Sequence, residues 1–259
     1  MARFHFPVVL LLLLTSFSFI AQADEVANSP VDKKILKVGF GIIDYPPYNY
    51  VINDEYQGIV IDIFHYIEDN SDYTFEFIKL PWPRVLQSVE TGRLDIVATL
   101  FKVKMREERF YFVEPAYGTE INQLFTLTDT DVEFDGDLTQ LKALSIGTIR
   151  DYSYGDVFDQ ATFLNKRPVI DEHTLIRLLK GGRFEMAIGN PTAFYKVASE
   201  LNLKKHIKAI SPIVSKTPVH LAITKQRKDA AQINNTLNEL IVKLKASAHY
   251  QQLLDKYDL

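Results

Sequence analysis

Gly92-Arg93-Leu94-Asp95-Ile96-Val97-Ala98 and Gly182-Arg183-Phe184-Glu185-Met186-Ala187-Ile188 are two versions of one pattern. Each leaves a helix through Gly-Arg, sets an apolar residue beside an acid, and enters an apolar run of strand length. Ahead of the second, Leu175, Leu178 and Leu179 share a helical face; ahead of the first, a helix opens near Trp82 with Pro81 and Pro83 at its mouth. Further upstream, Tyr73 to Lys79 reads as a strand, and Val60, Ile63, Phe64 and Ile67 recur at helical spacing. A turn, Asp44-Tyr45-Pro46-Pro47-Tyr48, follows an opening strand at Leu36-Lys37-Val38-Gly39-Phe40-Gly41, and Leu144-Ser145-Ile146-Gly147 repeats that opening. Strand and helix alternate, so the class is α/β, and the restart predicts two similar lobes. Two helical stripes close the chain, Ile233, Leu237, Leu240, Ile241 and Leu244, then Tyr250, Leu253, Leu254 and Tyr257. No Gly/Ser-rich linker divides the lobes, which predicts ordered connecting strands able to act as a hinge.

The composition narrows the function. With 47% hydrophobic residues the chain supports a sizeable core, and its formal charge of −4 offers no basic face for a nucleic acid. There are no cysteines, which removes disulfides, thiolate nucleophiles, Cys-ligated zinc and a lipoprotein anchor. His5, His65, His173, His206, His220 and His249 contain no pair at i, i+4 metal-binding spacing. Neither a Gly-rich phosphate loop nor a serine nucleophile elbow is present, so no cofactor is expected.

The N-terminus predicts export. Arg3 precedes an uncharged run, Val8 to Ile20, and Ala21-Gln22-Ala23 places small residues where a signal peptidase reads them. That run is too short for a membrane span of about 20 residues. Residues 1–23 therefore read as a cleaved signal peptide, residues 24–33 as a short leader, and the destination as the periplasm.

In order and spacing, several pieces resemble the family 3 extracellular solute-binding proteins, the amino-acid receptors of ABC importers. They are Tyr45-Pro46-Pro47-Tyr48, Gly58-Ile59-Val60-Ile61-Asp62, Gly92-Arg93-Leu94-Asp95, Arg106, Phe112-Val113-Glu114-Pro115-Ala116-Tyr117, Ile146-Gly147 leading to Ser153, and Gly182-Arg183 running on to Gly189-Asn190. The resemblance spans about Leu36 to Tyr257. It implies a type II periplasmic-binding-protein fold, with each lobe a mixed sheet flanked by helices. Lobe 1 would be discontinuous, 34–119 plus 219–259, and lobe 2 would be 120–218. Two crossovers, near Glu120-Ile121-Asn122-Gln123 and Ser215-Lys216-Thr217-Pro218, would form the hinge of a monomer that closes on a small molecule.

The resemblance also nominates ligand-binding residues. Arg106 matches an arginine that grips a ligand carboxylate, a task suited to a planar guanidinium, although its charged surroundings, Lys102 to Arg109, equally suit a surface residue. Tyr45 matches a ring that stacks on the ligand, with Trp82 as the opposite wall. Ser153 would cap a helix or donate to an anion, and Tyr152 beside it is bulkier than the small residue expected there. Thr99 keeps a hydroxyl near the arginine, but Val103 and Phe101 replace a threonine and a small hydroxyl residue. Asn190 stands where amino-acid binders usually carry an aspartate for the ligand ammonium. Either another acid, such as Asp151 or Glu114, takes that part, or the ligand is not a standard α-amino acid. Asn190 followed by Pro191 also reads as a helix cap.

Three function classes follow. The first is capture of an amino-acid-like solute or small carboxylate for an ABC permease in the inner membrane. The second is a periplasmic dehydratase of the cyclohexadienyl type, needing a general acid such as Glu114, Asp151 or Glu172. The third is a free-standing sensor for a signalling partner.

Overall fold

A computed structural model describes residues 1–2 and 33–259 of the chain. The signal expected at residues 1–23 lies outside the described residues except for its first two.

Chain order runs β1 (Lys34–Gly41), β2 (Tyr50–Ile52), β3 (Glu55–Gln57), α1 (Ile59–Asp69), β4 (Tyr73–Leu80), α2 (Trp82–Glu90), β5 (Ile96–Phe101), α3 (Lys104–Glu107), β6 (Phe110–Phe112) and β7 (Gly118–Leu127). It continues with β8 (Ser145–Ile149), α4 (Asp156–Asp159), β9 (Asn165–Val169), α5 (Glu172–Lys180), β10 (Met186–Gly189), α6 (Pro191–Glu200), β11 (Ile207–Thr224), α7 (Ala230–Lys245) and α8 (Ala248–Lys256).

The hydrogen-bonded strand order is β4-β1-β5-β11-β7-β10-β8-β9, with β6 on β11 and a separate β2-β3 hairpin. The two ends of this path mirror each other. β1 lies between β4 and β5, β8 lies between β9 and β10, and all four pairings are parallel. Between them run β7 and β11, long antiparallel strands that pair on both sides of a register shift between Ile210 and Ser215. The stretches expected as crossovers lie in these strands and face one another, Thr217 opposite Glu120 and Ser215 opposite Asn122.

Each end of the sheet is covered on two faces. At the β1 end, Val38, Ile63, Phe64, Ile233 and Leu237 join one cluster, and Val85, Leu94 and Val97 another. At the β8 end, Leu124, Ile146 and Phe158 join a third, and Phe125, Leu175 and Phe194 a fourth. Double coverage is what parallel strands demand, because both of their faces are apolar. Residues 33–259 nonetheless hold together as one compact unit.

The paired Gly-Arg segments fold alike. Gly92 and Gly182 take φ of 72° and 66°, the left-handed region that favours glycine after a helix. Arg93 N then reaches back to Ser88 O at 2.8 Å, and Arg183 N to Leu178 O at 3.0 Å. The acid that follows accepts from a strand amide in each case: Asp95 Oδ2 from Lys37 N at 2.8 Å, and Glu185 Oε2 from Ser145 N at 2.7 Å. Gly39 lies under Val85 and Leu94, and Gly147 under Leu175 and Phe184. The two halves therefore repeat in packing as well as in sequence.

Candidate functional site

A cleft opens where the β1 end faces the β8 end, with about 520 Å³ of non-atom space including its mouth. Seven of the eight residues nominated from the sequence line it: Tyr45, Trp82, Thr99, Phe101, Arg106, Tyr152 and Ser153. Asn190 does not.

Strand ends and helix starts place these side chains. Tyr45 sits in the loop after β1, stacked on Tyr48 with ring centres 5.8 Å apart. Its hydroxyl donates to Glu120 Oε1 at 2.6 Å. Thr99 and Phe101 stand near the end of β5; the Thr99 hydroxyl meets the Tyr117 hydroxyl at 3.0 Å. Trp82 is the first residue of α2, and Arg106 lies in α3.

Trp82 and Arg106 both reach across the cleft to one atom. Trp82 Nε1 donates to Asp151 O at 3.2 Å, and Arg106 Nη2 to the same oxygen at 3.1 Å. Arg106 Nη1 donates to Phe101 O at 3.2 Å. Asp151 adopts φ 65°, and this left-handed turn presents its carbonyl to both donors. The Trp82 indole also meets the Tyr152 ring edge-on at 5.5 Å. Burial draws the Arg106 guanidinium down to about 10, with Asp159, Asp151 and Glu90 acting the other way, so it stays charged at neutral pH. A second tie crosses at Asp44, which pairs with Lys79 at 2.5 Å and with Lys196 of α6 at 3.6 Å.

Ser153 neither caps a helix nor offers a free hydroxyl. It donates to the Asp159 carboxylate, and α4 begins after Gly155. Asn190 caps α6, its Oδ1 accepting from Thr192 N at 3.0 Å and Ala193 N at 3.2 Å, with Pro191 in the first turn. It lines a smaller neighbouring cavity that shares Tyr45 and Tyr152 with the main cleft. Asp151 contributes its carbonyl, and its side chain is exposed. Glu114 does not line the cleft; it pairs with Lys102 at 2.9 Å.

The acids that do reach the cleft region are Glu120 and Glu172. Glu120, on β7, is 5% exposed. Burial raises its carboxyl to about 8; the Tyr45 hydrogen bond opposes this and Glu172 adds to it. Glu172, in the first turn of α5, accepts from the Tyr152 hydroxyl at 2.8 Å, and burial raises its pKa as well. Among the described residues neither acid has a cationic partner within salt-bridge distance. Asn49 also lines the cleft, and its buried Nδ2 has no hydrogen-bond partner.

The sequence reading assigned Glu120 only to a crossover and passed over Asn49. A signal for Glu120 existed. Glu120, Asn122 and Leu124 alternate along β7, so an acid stands in the inward phase of a strand. Among the described residues no cluster of three or more His, Asp or Glu side chains is placed to hold a metal ion, and no helix is long and apolar enough to cross a membrane.

Solved structures share this architecture. A histidine kinase sensor domain with similarity to periplasmic binding proteins superposes with a TM-score of 0.74 at 18% identity, covering 87% of this chain and 96% of its own. The substrate-binding protein of an amino-acid ABC transporter gives 0.70 at 19%, covering 86% and 99%. An ancestral amino-acid-binding protein, a precursor of cyclohexadienyl dehydratase, gives 0.66 at 19%, covering 86% and 95%. At these identities the likeness establishes the two-lobed periplasmic-binding-protein fold. No curated protein matches the chain in sequence. The family model for bacterial extracellular solute-binding proteins, family 3, matches residues 36–258. The chain belongs to that family.

Proposed function

We propose that this protein is a periplasmic receptor that captures a small polar solute between lobes 34–119 plus 219–259 and 120–218, and delivers it to an ABC importer. It acts as a monomer, exported by a signal cleaved after Ala23. One observation carries the reading: the Asp151 carbonyl takes hydrogen bonds from Trp82 and Arg106 on the opposite wall, beside a cleft lined by seven of the eight nominated residues. Walls that meet this way, joined by two strands with a register break, suit hinge closure over a bound molecule. The test is native mass spectrometry of protein taken from the periplasm, followed by thermal shift with the released compound. A copurifying small molecule that raises the melting temperature is the expected result. At a hundred times its Kd such a ligand adds about 2.7 kcal/mol. Neither a bound mass nor a shift with amino acids, opines, polyamines or small carboxylates would end this reading.

A dehydratase is favoured by one specific feature, the buried Glu120 carboxyl, which burial raises to about 8 and which so suits the part of general acid at neutral pH. Prephenate or arogenate mixed with the purified protein gives an ultraviolet-absorbing aromatic product under that reading and none under capture. The sensor alternative shares the capture step and differs in partner; copurification with a permease or with a kinase separates the two.

A further inference from the structure

Two buried carboxyls sit where the cleft walls meet. Glu120, near the start of β7, lines the main cleft together with Tyr45 from the β1 side and Tyr152 from the β8 side. Glu172, in the first turn of α5, lines the neighbouring cavity with the same two tyrosines. Each acid is 5% exposed. Glu120 accepts from the Tyr45 hydroxyl at 2.6 Å, which ties the loop after β1 to a strand that crosses between the two ends of the sheet; Glu172 accepts from the Tyr152 hydroxyl at 2.8 Å. The groups facing Glu120 are Tyr45 and Tyr48 from the loop after β1, Tyr117 ahead of β7, Tyr152 and Tyr154 after β8, and Glu172 itself. Thr217 stands opposite it on β11, and Lys216 beside that residue is exposed. Arg106 lines the same cleft with its Nη atoms on the carbonyls of Phe101 and Asp151. Glu172 faces Tyr152, Tyr154 and, beside it in the chain, Asp171 and His173; His173 in turn lies 3.4 Å from Glu200. Phenols can donate to a carboxylate, yet they do not neutralise it, and a buried carboxylate without a counter-ion is costly. Parting the walls removes that cost, because it takes Tyr45 away from Glu120 and lets water reach both acids.

We propose that these two carboxyls couple closure of the cleft to protons, so that the walls stay together while both are neutral and part as they ionise. The device is a property of the walls themselves and does not depend on which solute enters. Its sign follows from the two surroundings. In the parted form the acids meet water and take ordinary carboxyl values, whereas burial in the shut form raises Glu120 to about 8 from 4.5 and shifts Glu172 the same way. Below the ordinary value both forms carry the protons and closure is fully favoured. Between the two values of Glu120 the parted form ionises while the shut form keeps its proton, so the ratio of shut to parted falls up to about tenfold per pH unit, and further through Glu172. Above the raised value the loss on Glu120 is complete. A solute held in acidic surroundings is therefore let go in alkaline ones.

Trp82 is the only tryptophan of the chain and lies on the closing contacts, bonded to Asp151 O and edge-on to Tyr152. Its fluorescence, read beside the radius of gyration from small-angle X-ray scattering, therefore reports the cleft in the purified protein. From about pH 5 to about pH 9 the radius should grow and the emission shift to the red, while the far-ultraviolet circular dichroism spectrum stays constant. Glu120→Gln combined with Glu172→Gln keeps an acceptor for each tyrosine and removes the titrating protons; it should stay compact at both ends of that range. In the unaltered protein, the slope of the logarithm of the parted-to-shut ratio against pH counts the protons released, and it should reach about one. A radius and emission that do not change with pH overturn the device. So does a double variant that follows the unaltered protein's curve, because the transition then belongs to other groups such as the histidines. A slope below about half a proton overturns it as well, and that count needs no variant, so it decides the matter even if the double variant folds poorly. Capture is untouched by any of these failures, since it is read from a copurifying solute.

Discussion

Glu120 meets different surroundings in the folded and unfolded chain, and that difference sets a pH dependence. Burial raises its folded pKa to about 8, against an ordinary glutamate value of 4.5. A raised carboxyl pKa means the fold prefers the neutral form. The associated stability is fully present below the unfolded value and is lost as pH climbs through about 8. The shift corresponds to roughly 4–5 kcal/mol as an upper figure, and Glu172 acts in the same direction. Urea denaturation of the ligand-free protein should therefore give a higher midpoint at pH 5 than at pH 9. Glu120→Gln should flatten much of that slope and stabilise the ligand-free protein at pH 9, while a Glu120→Gln slope equal to wild type would refute the assignment. At this scale the sequence was partly legible. Tyr45, Trp82 and Arg106 have side chains whose chemistry advertises them. The Asp151 carbonyl that unites two of them carries no side-chain mark, because any residue offers one, and its part depends on a turn visible only in three dimensions. Asn190 was legible as a cap because a short polar residue before proline has a local job that needs no tertiary context.

Where α2 and α5 pack against β1 and β8, each half rests on one glycine. A Cβ on Gly39 would lie 2.7 Å from Val85 Cγ1 and 2.8 Å from Leu94 Cδ1; on Gly147 it would lie 2.4 Å from the Phe184 ring and 2.7 Å from Leu175 Cδ1. Helix and strand approach this closely only without a side chain between them. Gly147→Ala should cost about 1–3 kcal/mol of stability by chemical denaturation, and Gly39→Ala less, because aliphatic tips yield more readily than a ring. A neutral Gly147→Ala would contradict the close approach. The helices and strands around these glycines were legible, since apolar spacing and the Gly-Arg exits mark them directly. β11 was not, beyond its stretch near Ser215. Its eighteen residues carry Pro212 and Pro218, and burial along it shifts from mixed over its first twelve residues to fully buried over its last six, so no single period describes it. β9 was missed for a related reason: it is an edge strand of five residues containing Pro168.

Across the whole molecule, two double-sided cores are bridged by β7 and β11, and the cleft walls touch one another. The ties are Trp82 and Arg106 to Asp151, and Asp44 to Lys196. The charged tie is partly exposed and adds at most about 1 kcal/mol, so the hydrogen bonds and the Trp82–Tyr152 contact dominate. Arg106→Ala combined with Trp82→Ala should shift the ligand-free protein to a more open form, read as a larger radius of gyration by small-angle X-ray scattering, with the melting temperature little changed. An unchanged radius would show that other contacts hold the walls together. Opening also precedes entry, so any free energy holding the empty cleft shut subtracts from apparent affinity. The part played by Asp151 has one more consequence. Since the clasp across the mouth is a main-chain oxygen, its strength follows the shape of the turn rather than the chemistry of residue 151. Asparagine or glycine there could recolour the electric field at the doorway, and with it the pace at which charged solutes arrive, while the catch itself kept its grip.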